Sequence, residues 1–226
     1  MAFPSRWLTR AVFVLLPGFP AATSAQAPAV MPAAPKLQIP AAPAPPADPP
    51  TGEITQGAIQ VADLLASLAR LDQNGRVTER IGFEIPERAV NEYLAYSLRN
   101  RPRPGISSIR VTLLPKNDVA ATVEIDFSSV LQWNSDIVPE PLRAVLSGKR
   151  TVQLNAHFES GNGTFNLTLK DAHGPDGKIL ENQIMSALMQ AIGSHQPESY
   201  DAARPITLPF GLKRVWTDKQ SLLGET

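Results

Sequence analysis

The chain has 226 residues, with 21 basic and 21 acidic side chains, three histidines and no cysteine. The lack of cysteine excludes a disulfide framework, a thiol nucleophile, a thiolate metal site and lipid attachment through an N-terminal cysteine. Zero net charge speaks against a protein that coats nucleic acid, where excess Lys and Arg grip the phosphates.

Of the 22 prolines, 12 fall in the first 50 residues, so the chain divides into a Pro/Ala-rich front and an ordinary globular remainder. Residues 1–27 read as a secretory signal: Arg6 and Arg10 precede a short apolar stretch, and Ala25-Gln26-Ala27 is a small-x-small cleavage site. The apolar stretch, Ala11 to Pro20, contains Pro17 and Pro20 and is about half the roughly 20 residues a spanning helix needs, so no transmembrane anchor is expected. Residues 28–52 read as a disordered Pro/Ala-rich linker, extended and semi-rigid, serving as a spacer or as a ligand for a proline-binding module. Residues 53–226, with a net charge of −2, are long enough for one domain with one core. An export signal without cysteine suits a bacterial periplasm or exterior.

Within the domain, Ile54 to Leu71 has helical periodicity, with Ile54, Ala58, Val61, Leu65 and Leu68 on one stripe. Asp72-Gln73-Asn74-Gly75 stops it, and Val77 to Ile85 alternates as a half-buried strand. Pro86 and Glu87 open a second helix, whose packed side is Val90, Tyr93, Leu94, Ser97 and Leu98. Two alternating hairpins follow. The first joins Ser108–Leu114 to Val119–Phe127, with Val123 and Ile125 facing inward; the second joins Thr151–Phe158 to Phe165–Lys170, with Leu154 and Leu167 facing inward. Between them Pro139 to Leu146 reads as a short helix. Lys178 to Ile192 predicts a third long helix, and Pro205 to Trp216 one or two short strands, with a last one at Gln220 to Leu223. The expected fold class is α+β: a curved antiparallel sheet of two or more hairpins with two to three helices on its apolar face.

Catalytic signatures are absent from the sequence. There is no HExxH, no GxSxG and no glycine-rich phosphate loop, and His157, His173 and His195 are scattered. The expectation is a non-enzymatic protein that needs no cofactor and no metal. The third helix carries more apolar surface than one interface requires, and Met185 and Met189, one turn apart, suit a permissive apolar site. Ile184, Met185, Leu188 and Met189, facing Val123, Ile125, Leu154 and Leu167, are the candidate lining of a groove for a lipid or other apolar molecule; an ordinary packed core is the alternative. Arg99, Arg101 and Arg103 form the most basic spot, placed either to balance the end of the helix dipole or to hold an anionic headgroup.

The segment Glu87-Arg88-Ala89-Val90-Asn91-Glu92-Tyr93-Leu94, followed by Pro104-Gly105 and an alternating hairpin, resembles the helix-turn-hairpin of exported bacterial proteins of unknown function. With the second hairpin, the apolar helix and the late Leu208-Pro209-Phe210-Gly211-Leu212, the order of elements over most of 76–217 is distantly similar to lipid-binding envelope proteins of the LmeA and YpmS type. The resemblance implies a long helix cradled by a strongly curved sheet, an apolar groove and no catalytic residues. The rival expectation is a structural or adaptor protein of the cell envelope with a solid core and a protein partner.

Overall fold

The computed structural model describes residues 54–73, 80–133, 143, 146–196 and 204–226. The expected signal (1–27), linker (28–52) and most of the helix expected at Pro139 to Leu146 lie outside the described residues. Helix α1 spans Gln56–Gln73, strand β1 Gly82–Pro86 and helix α2 Glu87–Asn100. Strands β2 (Ile106–Leu114) and β3 (Asp118–Asp126) form the first hairpin, and helix α3 (Phe127–Trp133) follows directly. Strands β4 (Lys149–Gly161) and β5 (Thr164–His173) form the second, then come helix α4 (Asn182–Ser194) and strands β6 (Ile206–Thr207), β7 (Arg214–Asp218) and β8 (Ser221–Glu225).

The fold is α+β. The two hairpins merge into one curled five-stranded antiparallel half-barrel, in the order β2-β3-β4-β5-β6, and β1-β8-β7 form a separate small sheet. Alternation dictates which side faces in. Ile109, Val111 and Leu113 of β2 are buried, as are Val119, Ala121, Val123 and Ile125 of β3, Val152, Leu154, Ala156 and Phe158 of β4, and Phe165, Leu167 and Leu169 of β5. A register irregularity between Asn155 and Ala156 lets β5 bring Ala172 inward as well. One continuous apolar cluster joins this face to α1, α2, α4 and the small sheet.

The sheet ends at β2, whose outward backbone groups would otherwise be a template for another strand. Asn91 of α2 closes it as a strand would: its Nδ2 donates to the Val111 carbonyl at 2.8 Å and its Oδ1 accepts from the Val111 N–H at 2.8 Å. Two residues on, Glu87 Oε2 accepts from the Leu113 N–H at 2.7 Å, and the Thr217 hydroxyl donates to the Leu114 carbonyl. The Glu-x-x-Val-Asn-x-Tyr-Leu pattern thus divides its labour. Glu87 and Asn91 satisfy the strand edge, while Val90, Tyr93 and Leu94 enter the core.

Three expectations are corrected. Ile54 precedes α1 and is 48% exposed, so the buried stripe begins at Ala58. Phe127 starts a helix rather than ending a strand, because Asp126 caps it: Oδ1 accepts from the Ser128 N–H at 3.1 Å and from the Ser129 N–H at 3.4 Å. The third long helix begins at Asn182, since Leu180 instead donates its N–H to the Ala172 carbonyl, extending the sheet beside a His173–Ile179 bridge. Ile179 is 71% exposed as a result.

Replacing Asn91 by Ala removes two hydrogen bonds and leaves the Val111 amide unmatched under α2. The expected loss is about 1–3 kcal/mol of unfolding free energy. Urea denaturation measures it, with the exposed Arg88→Ala as a comparator that stays close to wild type.

Candidate functional site

Helix α4 buries Ile184, Met185, Leu188, Met189, Ile192 and Gly193, an arc of roughly half its circumference at 100° per residue. Gln183, Gln190 and Ser194 are exposed on the other side. The helix lies over the inner face of the half-barrel, and its side chains do not fill the space completely. A partly open apolar cavity of about 30 Å³ remains, lined by Ile106 of β2, Val123 and Ile125 of β3, Leu154 of β4, and Met185, Leu188, Met189 and Ile192 of α4.

Six of the eight groove residues expected from sequence therefore meet around one hollow. Ile184 and Leu167 are buried but do not line it. Ile106 and Ile192 were not anticipated. The signal for Ile192 was present, since it continues the Met185–Met189 stripe; Ile106 is legible only from the register that sets it opposite Ile125.

The two ends of α4 are held differently. At the N-terminus, Glu181 occupies the cap position without a side-chain capping bond. At the C-terminus, the Gln196 amide bridges two elements, with Nε2 donating to the Ile192 carbonyl at 2.8 Å and to the Pro104 carbonyl at 3.2 Å. The His195 ring stacks on Trp133 of α3 at 4.3 Å, with the planes 6° apart. Trp133 in turn lies against Gly105, whose positive φ of +76° turns the chain into β2 and whose missing Cβ leaves room for the indole. None of these anchors except the Pro104-Gly105 turn was singled out from sequence.

The three candidate arginines do not form one patch. Arg99, in the last turn of α2, and Arg101, after it, are exposed, whereas Arg103 is 7% exposed and pairs through its backbone with Ile106. The cross-strand row then runs from Ile106 to Ile125 to Arg150, so the cavity end of the sheet lies between two arginine positions. A second, polar groove of about 410 Å³ lies beside β4, lined by Lys149, Arg150, Thr151, Gln153 and the Gly174–Gly177 turn.

Titratable groups gather on the outer face of the sheet. Asp118 Oδ1 is 2.8 Å from His157 Nδ1 and accepts from Lys170 Nζ at 2.7 Å; Asp171 Oδ1 accepts from Asn155 Nδ2 at 2.7 Å and lies 3.2 Å from His173 Nε2. This row lines neither the apolar cavity nor the polar groove. Among the described residues no group of three or more His, Asp or Glu side chains is placed to hold a metal ion. Burial acts to raise the Asp118 carboxyl, but hydrogen bonds and charge from Lys170 and His157 outweigh it and hold the group below its ordinary value of 3.8.

Comparison of the chain with family models, curated proteins and solved structures finds no match.

The depressed Asp118 carboxyl contributes stability above its unfolded value, and that contribution is lost as pH falls through the lower folded value. Asp118→Asn is expected to flatten the decline of the thermal midpoint below about pH 4. An unchanged acid limb would show that the cross-strand trio adds nothing to folding.

Proposed function

We propose that this chain is an exported, non-catalytic binding module that takes an apolar molecule, a lipid or similar chain, between α4 and the inner face of the half-barrel. The observation that carries this reading is the partly open cavity itself, lined only by Ile, Val, Leu and Met and placed under the helix with the broadest buried arc. The likeness in element order to lipid-binding envelope proteins points the same way.

At about 30 Å³ the cavity exceeds the volume one water needs but falls far short of the roughly 150 Å³ that receives a benzene ring. Occupancy therefore requires α4 to rise. The N-terminal turn of α4 lacks a side-chain cap, but Leu180 just before it donates to the Ala172 carbonyl, and the C-terminal turn is held by Gln196 and His195, so the rise costs contacts at both ends. Met185 and Met189, with flexible thioether side chains, re-pack as the gap widens. A chain entering there gains about 0.8 kcal/mol per methylene removed from water, set against the contacts α4 gives up.

A second reading, an envelope adaptor with a solid core and a protein partner, is favoured by the same small volume. One substitution separates the two. Val123→Ile adds a single methylene to the cavity wall. For a binding module, wild type binds a polarity-sensitive fluorescent acyl probe, and Val123→Ile weakens that binding severalfold. For a solid core, wild type leaves the probe unbound and Val123→Ile fills a packing gap, raising stability by up to about 1 kcal/mol. Fluorescence titration alongside urea denaturation reads both.

A further inference from the structure

Strand β4 is paired unevenly. Against β3 its register runs from His157 to Lys149, but against β5 it stops at Gln153, opposite His173. The position that would continue the ladder opposite Thr151 is held by Pro175, which has no N–H to give. The chain leaves the sheet there through the Gly174–Gly177 turn, so Lys149 to Val152 have a strand on one side only. The polar groove of about 410 Å³ is the space that opens beside them.

Alternation decides which backbone groups face that space. In an antiparallel ladder the N–H and C=O of one residue point to the same side, and those of the next residue to the other. The Ala172 carbonyl accepts from the Leu180 N–H, away from β4, so His173 turns its groups toward Gln153. Counting back along β4, the N–H and C=O of Thr151 and Lys149 point into the groove, and those of Arg150 and Val152 toward β3. The Gly148 carbonyl agrees, since it accepts from the Phe127 N–H on the β3 side. Among the described residues nothing bonds to Thr151 on the groove side, and the Lys149 ammonium has no ion pair.

The groove is also one-signed. Lys149 and Arg150 line it and no carboxylate does. The nearby acids are engaged: Asp126, opposite Lys149, caps α3, and Asp176 Oδ2 lies 3.3 Å from Lys178 Nζ. We propose that the open edge of β4 takes an extended acidic peptide segment of a partner protein, added antiparallel where β5 leaves off, with a carboxylate opposite Lys149. A second copy of this edge does not fit, because it would set lysine and arginine against their own kind. The proposal is independent of the cavity beneath α4.

The test uses the full chain and fluorescein-labelled peptides of about eight residues, an ordinary strand length, read by fluorescence anisotropy. Wild type is expected to bind alternating Thr-Glu about tenfold more tightly than alternating Thr-Lys. With glutamate opposite Lys149, the glutamate amides face β4 and the threonine amides face away. N-methylation of the glutamates is therefore expected to cost about tenfold, and of the threonines about twofold at most. Thr151→Pro removes an N–H that β3 does not use, so it is expected to abolish binding with the fold kept. No binding of the Thr-Glu peptide, or equal binding of the Thr-Lys peptide, would overturn the proposal. Equal effects of the two methylations, or a larger one at threonine, would overturn it in favour of a groove that reads charge alone. The methylated peptides decide the matter on wild type even if Thr151→Pro does not fold.

Discussion

Everything in this fold follows from a sheet that is apolar on one side only. Four strands alternate strictly enough that a slip of one residue would drive Glu124, Asp126 and His157 into the interior and expose Val123, Ile125 and Phe158. The curled sheet cannot be left with its inner face wet, and α4 covers it together with α1, α2 and the small sheet. The breadth of the α4 apolar arc is matched to the concavity of the half-barrel, and the cavity is the residue of that match. Site and fold are therefore the same feature seen at two scales.

The edge of that sheet is managed by side chains rather than by another strand. Asn91 and Glu87 meet the backbone of Val111 and Leu113, and the turn residue Asn117 accepts from the Thr217 N–H at 3.0 Å, linking the large sheet to the small one. Ser160 adds a second link by donating to the Val215 carbonyl at 2.7 Å. These contacts explain why a helix beginning Glu-x-x-Val-Asn should precede an alternating hairpin: the polar pair exists to finish the hairpin's first strand. The segment Glu87 to Leu94 thus speaks to how the fold is closed, and its residues do not line the cavity.

Much of this architecture was legible because period-two and period-3.6 patterns are strong over β3, β4, α1 and α2. The wall residues Val123, Ile125 and Leu154 followed from alternation alone, and Met185, Leu188 and Met189 from helical spacing. What escaped had local causes. The α3 helix hid behind Phe127, which continues the strand's alternation, although Asp126 ahead of Ser128 and Ser129 is a capping signal that outweighs it. Ile179 looked helical by spacing but is held by a bridge to His173, a tertiary contact that the chain's own periodicity does not encode. Gln196 and Trp133 acquire their roles only when α3, α4 and the turn before β2 converge, so no pattern in the chain marks them.

The proposed function requires the cavity beneath α4 to open for an apolar guest. Native mass spectrometry of the protein, purified from its own compartment without detergent and followed by solvent extraction, addresses this directly. The account predicts a population heavier than the bare polypeptide by the mass of one small apolar molecule, recovered in the extract and lost when Met185 is replaced by Glu in a variant that still folds. A single species at the mass of the polypeptide alone, with an empty extract, would contradict it.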